Sequence, residues 1–291
     1  MTAAPLTAMV LRPMSKSATY ELLGPAAELA DELLAELQKD RTRLPVLWRG
    51  LPRRCGKEPI GGGVQQIGAA TVDLDAFRVC DLVAVHLASS IQATDPELID
   101  LFSHGDIEER AMLLRSLSFL PLGGITNDLL GEALRTNIVL HLEAAMCDSD
   151  LLARAIAAGV VDADTANRLL LKFAFIDMDL TRAFSAEQHA SETLSTMLQD
   201  LATEREAAGR SVWRHTYRML GLAPCPGALG RLIGGLEHGD DGVRQAAADG
   251  LLALRGIDSS SNTLIAQFAQ ERTPREPRAA IREQLQQLAT S

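Results

Sequence analysis

The sequence predicts an all-α protein, an α-α superhelix of HEAT- or armadillo-like helical hairpins. Three observations carry that expectation. Apolar residues recur at three- and four-residue spacing along most of the chain, strand patterns are almost absent, and two His-Gly-Asp turns each separate an apolar helix from an acid-capped one. His104-Gly105-Asp106 is followed by Arg110 and then leucines; His238-Gly239-Asp240 is followed by Arg244 and then Ala247, Leu251 and Leu254. That is the grammar of hairpin repeats, in which each pair buries its stripe against its neighbours.

The elements follow in order. Glu28 to Leu37 carries Leu29, Leu33, Leu34 and Leu37 on one helical face, with Gly24-Pro25 ahead of it. Arg41 to Lys57 holds Arg41, Arg43, Arg49, Arg53, Arg54 and Lys57 with no acid among them. Together with Gly61-Gly62-Gly63 and the glycine-rich stretch to about Thr71, it reads as a loop segment with room for one short extended piece. A helix is expected from Asp75 to about Gln92, and another starts at Asp95-Pro96, where a cap precedes a first-turn proline. Asp106 and Glu109 form a capping-box pair ahead of the stripe Ile107, Ala111, Leu114 and Leu117. Pro121 and Gly123-Gly124 end that helix, and Asn127 caps the next, expected to run unbroken to about Met146.

Further helices are expected over Asp164 to Ile176, Ala186 to Ala208, Val212 to Leu220, Ala228 to Glu237, Gly242 to Leu254 and Asn262 to Gln270. A last one begins near Pro277 and carries Ile281, Leu285 and Leu288. Three segments result: 1–73 with a helix and the basic, glycine-rich stretch, a helical core over 74–220, and C-terminal hairpins over 221–291.

Composition narrows the function. The chain has 291 residues, with 28 basic against 38 acidic side chains and a net charge of −10, which argues against a general nucleic-acid binder. Apolar residues make up 47% and aromatics 4%, so Leu, Ala, Val and Ile must build the core. Cys55, Cys80, Cys147 and Cys225 lie far apart and form no CxxC pair, as expected of reduced thiols. Arg12 and Pro13 interrupt the mildly apolar start from Met1 to Lys16, and no stretch is long enough to span a bilayer. The chain therefore reads as cytoplasmic.

Catalytic motifs are missing. Gly50-Leu51-Pro52-Arg53-Arg54-Cys55-Gly56-Lys57-Glu58 misses the phosphate-loop pattern, with five residues between the glycines and Glu58 where a hydroxyl is needed. No GxSxG, HExxH or EF-hand pattern occurs, and the histidines pair at no ligand spacing. Asp177 and Asp179 form a DxD too short to be specific, and Asp240-Asp241 reads as a helix cap. No catalytic residue, metal or cofactor is expected on these grounds.

Two groups remain as binding candidates. Arg53, Arg54 and Lys57 offer donors to an anion, set against the plainer reading of a solvated basic loop. On the expected 127–146 helix, Asn137 and His141 share the apolar stripe of Leu130, Leu134, Ile138 and Ala145, with Arg135 and Glu143 to its side. They read either as a satisfied pair linking helices or as a polar patch lining a cavity. Lys172 is the one charge in the apolar run Leu169 to Ile176 and joins them as a possible ligand contact.

These residues resemble a known family. His104 to Arg110 through Leu120-Pro121, then Glu132-Ala133-Leu134-Arg135-Thr136-Asn137-Ile138, Leu142-Glu143-Ala144, Leu171-Lys172-Phe173-Ala174-Phe175, and Glu204 to Arg210 followed by Trp213 are similar to EboA-domain proteins. So is Pro52 to Pro59. The resemblance covers about residues 45–220. Where many members carry a stretch resembling Asn-Pro-Tyr-Pro, this chain has Cys147-Asp148-Ser149-Asp150-Leu151-Leu152, which marks it as divergent. The resemblance implies an accessory protein of a secondary-metabolism gene cluster that also encodes a prenyltransferase-like membrane enzyme and hydrolase- or phosphatase-like enzymes. It places the protein near the delivery of metabolite precursors toward the periplasm. Two functions follow as expectations. The first is a non-catalytic helical scaffold or adaptor for a protein partner from that cluster, either the prenyltransferase-like enzyme or a soluble one. The alternative is a carrier or enzyme for an isoprenoid or phosphorylated metabolite, with a polar cavity formed by Arg135, Asn137, His141 and Lys172.

Overall fold

The computed structural model of the chain describes residues 21–290, so the reading of Met1 to Lys16 and the start of the 1–73 segment lie outside the described residues. It divides into two compact units, Met1–Asp162 and Ala163–Ser291. The all-α expectation holds: among the described residues the one sheet is a two-stranded hairpin.

The first unit opens with α1 (Ala27–Lys39), which buries Ala30, Leu33, Leu34 and Leu37. The basic stretch that reads as a loop is instead largely helical. A single 3-10 turn, Arg41–Arg43, leads into α2 (Leu44–Cys55), with proline in its first turn. Leu44, Leu47, Trp48 and Leu51 fall at i, i+3, i+4 and i+7 and are buried, while Arg49, Arg53 and Arg54 occupy the solvent face. Charge and two prolines masked that stripe. Pro45 sits where a missing N–H costs nothing, and Pro52 lies in the second half of a short helix.

Gly61, Gly62 and Gly63 all adopt positive φ and bend the chain into β1 (Val64–Ile67). Gly68, at φ 63°, supplies the left-handed residue of the tight turn to β2 (Ala70–Asp73). Two strands stand where the sequence left room for one. The far edge of β2 is paired as well: Asp73 N donates to Asp148 O at 2.9 Å and Asp150 N to Thr71 O at 2.9 Å.

Next comes α3 (Val79–Ser90), buried continuously from Cys80 to Ala88 and thus at the centre of the unit. α4 (Asp95–His104) follows, and α5 (Ile107–Ser116) packs against both α3 and α4, with the expected Asp106–Glu109 capping box in place. Thr94 rather than Asp95 caps α4, with Glu97 reaching back to its N–H at 2.7 Å.

The helix expected over 127–146 is two: α6 (Gly124–Leu134) and α7 (Val139–Met146). The chain leaves the helix at Arg135 because Thr136 Oγ1 accepts from Ile138 N at 3.0 Å, a local bond that competes with the helical ladder. A short α8 (Leu151–Ala157), absent from the sequence reading, ends the unit.

The second unit holds α9 (Ala163–Phe175), α10 (Glu192–Ala207), α11 (His215–Leu222), α12 (Ala228–Leu236), α13 (Asp241–Ile257), α14 (Asn262–Arg272) and α15 (Ala279–Ala289). The expected Ala186 start of α10 is a separate 3-10 turn, because Ser191 caps the helix by accepting from Leu194 N at 3.1 Å. Its apolar cluster joins Tyr217, Leu232, Leu251, Ile265, Ile281, Leu285 and Leu288. The two His-Gly-Asp turns are built alike within their separate units. Asp106 and Asp240 each cap a helix, and the arginine four residues on reaches back to the glycine carbonyl: Arg110 Nε to Gly105 O at 2.9 Å, Arg244 Nη1 to Gly239 O at 3.1 Å.

Candidate functional site

Beneath the surface of the first unit runs a ladder of alternating charges. Arg115, on the buried face of α5, donates Nε to Asp148 Oδ2 at 2.8 Å and Nη1 to Asp81 Oδ2 at 3.1 Å. Arg78 grips the other side of Asp81 through Nε and Nη2, both at 3.0 Å, and reaches Glu108 through Nη1. Lys57 Nζ stands 3.8 Å from Glu108 and completes the row at the surface. Asp81, Arg115 and Asp148 are each at least 95% buried, so the signs must cancel: two aspartates are met by two arginines. Burial pushes the Asp148 carboxyl above the ordinary carboxylate range, opposed by Arg115.

The ladder joins α3, α5 and the segment after α7. That segment is Cys147 to Asp150. Ser149 Oγ lies 2.6 Å from Ser118 Oγ, and Arg154 binds both Asp150 Oδ1 and Ser118 O at 2.7 Å. Arg78 and Asp81 are three apart, as in a capping box, but no spacing rule links them to positions 115 and 148, so the ladder was missed; the signal within reach was Asp81 and Arg115 inside otherwise apolar runs. Two cysteines lie near it. Burial first, and Asp81 next, push the Cys80 thiol up to about 12, and burial pushes Cys55 up to about 11, so both are neutral thiols at neutral pH.

Of the sequence-predicted residues, Lys57 stands at the surface end of this ladder, and the others fall elsewhere. His141, in the first turn of α7, is buried, and its Nε2–H donates to the carbonyl of Ile107 at 2.9 Å. Burial lowers its pKa, with the Ile107 carbonyl opposing, so the ring is neutral and ties α7 to the start of α5. Asn137 and Arg135 are not on its stripe: both lie in the break between α6 and α7 and are exposed, Arg135 pairing with Glu132. Lys172 belongs to α9 in the second unit, where its ammonium lies 5.3 Å from the Phe175 ring centroid. Arg53 and Arg54 are exposed in the last turn of α2, favourably placed at the negative end of the helix dipole, and Lys57 follows.

At this end of the first unit two large apolar side chains face solvent: Ile107, 51% exposed, and Val139, 47% exposed. The His141–Ile107 hydrogen bond brings the two helix starts that carry them together, and the exposed Arg135 and Asn137 immediately precede Val139. In the second unit, the DxD aspartates are absorbed by structure. Arg205 takes Asp177 in a two-pronged grip at 2.7 and 2.5 Å and also donates to Ala174 O and Ser211 O. Asp179 caps the turn at Thr181 and lies 3.0 Å from His215 Nε2. Among the described residues no group of three or more His, Cys, Asp or Glu side chains is placed to hold a metal ion, and no helix is long and apolar enough to cross a membrane.

Compared with known proteins, residues 74–221 match the family described as metabolite traffic protein EboA. Neither the curated proteins nor the solved structures contain a match.

Proposed function

We propose, from the premise that this chain belongs to the EboA family, that it serves metabolite traffic as a helical adaptor that docks a protein partner on the first unit. The observation behind this reading is the solvent-facing pair Ile107 and Val139 beside Arg135 and Asn137. Exposed apolar side chains next to an arginine and an amide have the composition of an interface centre with a polar rim. The ladder through Asp81, Arg115 and Asp148, with the His141 bond above it, holds the backbone beneath that patch in one arrangement, which suits a docking platform.

The partner proposed is an enzyme of the same gene cluster, the prenyltransferase-like membrane enzyme or a soluble one. The test is co-purification of the two proteins at fixed stoichiometry, read by native mass spectrometry, for the wild type and for Val139→Glu with Arg135→Glu. Loss of the complex with an unchanged unfolding midpoint is expected. A complex that survives both substitutions, or no complex with either enzyme, would overturn the reading.

A further inference from the structure

The second unit contains an open cleft of about 480 Å³ between α10, α11 and α12, a size that takes a small metabolite. Three of its lining positions are glycines of α12 and its cap, Gly227, Gly234 and Gly235. A Cβ on Gly235 would come within 2.8 Å of the Tyr217 ring, so the ring packs closely against α12 at this glycine. Gly234 differs: a Cβ there meets nothing within 4 Å, and this position opens into the cleft.

A buried polar atom at this cleft lacks a protein partner. Gln199 Nε2 donates to Pro226 O at 2.9 Å, which fixes the amide orientation, because the reverse would set oxygen against oxygen. Its Oε1 is buried and accepts nothing. Tyr217, 4% exposed, lines the same cleft. Burial raises that phenol above its ordinary value of 10, with Arg231 and Glu206 the nearby charges, so it is neutral and able to donate or accept. An orphaned buried acceptor costs about 1–3 kcal/mol, which a donor from a ligand or ordered water would recover.

Charge decides the class of ligand. Arg231 is the guanidinium of the lining, and it is already matched: Nη1 donates to Glu206 Oε1 at 2.9 Å and Nη2 to Thr203 Oγ1 at 3.0 Å. A phosphate or carboxylate at that guanidinium would lie beside the Glu206 carboxylate, which repels it. We infer that this cleft is a binding site for an uncharged small molecule that presents an alcohol or amide donor to Gln199 Oε1, bonds the Tyr217 hydroxyl, and lays an apolar face over Gly234. This site is separate from the proposed docking patch and stands or falls independently of it.

The test uses the full chain with three probes followed by saturation-transfer NMR and chemical-shift titration: benzyl alcohol and nicotinamide as uncharged donors, benzyl phosphate as the charged counterpart. Both uncharged probes are expected to bind at millimolar concentration, and benzyl phosphate more weakly. Gly234→Phe fills open space on a helix surface and should leave the unfolding midpoint in place while weakening both probes at least tenfold. Tyr217→Phe removes one hydroxyl from the lining, so it should weaken binding about two- to tenfold, the worth of one hydrogen bond, with the unfolding midpoint little changed. Absence of saturation transfer, transfer that persists undiminished in Gly234→Phe, or tighter binding of benzyl phosphate would each overturn the proposal.

Discussion

Gly221 of α11 and Gly250 of α13 meet backbone to backbone. A Cβ on Gly221 would lie 2.7 Å from the Gly250 carbonyl carbon, and a Cβ on Gly250 would lie 2.5 Å from Leu232 Cδ2. Neither glycine has positive φ; both are small so that two helices can touch. Gly221→Ala is therefore expected to force α11 and α13 apart and to cost well over the 1–3 kcal/mol typical of overpacking. Gly234→Ala, in open space on a helix, should instead stabilise by up to about 1 kcal/mol. Urea unfolding of the two variants gives shifts of opposite sign if this is right.

The buried ladder predicts a second asymmetry. Arg115→Met leaves Asp81 and Asp148 in the core without that guanidinium, which should cost about 3–5 kcal/mol. Adding Asp148→Asn removes one stranded charge and should restore part of the loss. Urea midpoints for the single and double variants measure the coupling, and strictly additive losses would contradict the ladder.

Acid should loosen the fold before its carboxylates titrate. Burial lowers the pKa of His141, His189 and His215 below the ordinary 6.5, so below that pH the unfolded chain takes up protons that the folded chain refuses. Stability is full above pH 6.5 and falls as pH drops beneath it. Denaturation midpoints between pH 7.5 and 5.5 should decline, and His141→Gln, whose amide can still donate to Ile107 O, should make the decline shallower.

Glu97 offers a local titration. Arg41 binds it through Nε at 2.5 Å and Nη2 at 2.7 Å, which holds its carboxyl at about 2, and the same guanidinium reaches the carbonyls of Ile91 and Gln92. Its stabilising share is present above the ordinary 4.5 and is lost as pH falls toward 2. In Arg41→Gln the Glu97 midpoint, followed by carbon-detected NMR, should move back up toward 4.5. Since the pair is largely exposed, the change in overall stability should be small.

Local rules read the helices well wherever one residue did one job. Ile281, Leu285 and Leu288 were legible as the buried stripe of α15, and Asp106 with Glu109 as a cap, because period and capping act over one or two turns. The failures came where two local preferences competed. Thr136 diverted the chain from a helix whose apolar pattern continued through it, and the arginines of α2 hid Leu44, Leu47, Trp48 and Leu51. The break at Thr136 removed Asn137 and His141 from a common face. The ladder and the cleft lay out of reach for another reason: the local pair Arg78 and Asp81 is joined to Arg115 and Asp148 only by tertiary folding, as are Gln199, Tyr217 and Arg231 to one another.

The pairing of β2 with the segment after α7 has a consequence for synthesis. Val72 bridges to Ser149, so the outer edge of the hairpin is closed by residues made more than seventy positions later. A chain still emerging from the ribosome carries β2 with open N–H and C=O groups until Asp150 has cleared the tunnel, an edge able to recruit a strand from a neighbouring chain. Nascent chains arrested while Asp150 is still inside the tunnel should therefore aggregate more readily than chains arrested once Asp150 has emerged, and the Asp148–Asp150 segment acts as the clasp that ends that exposure.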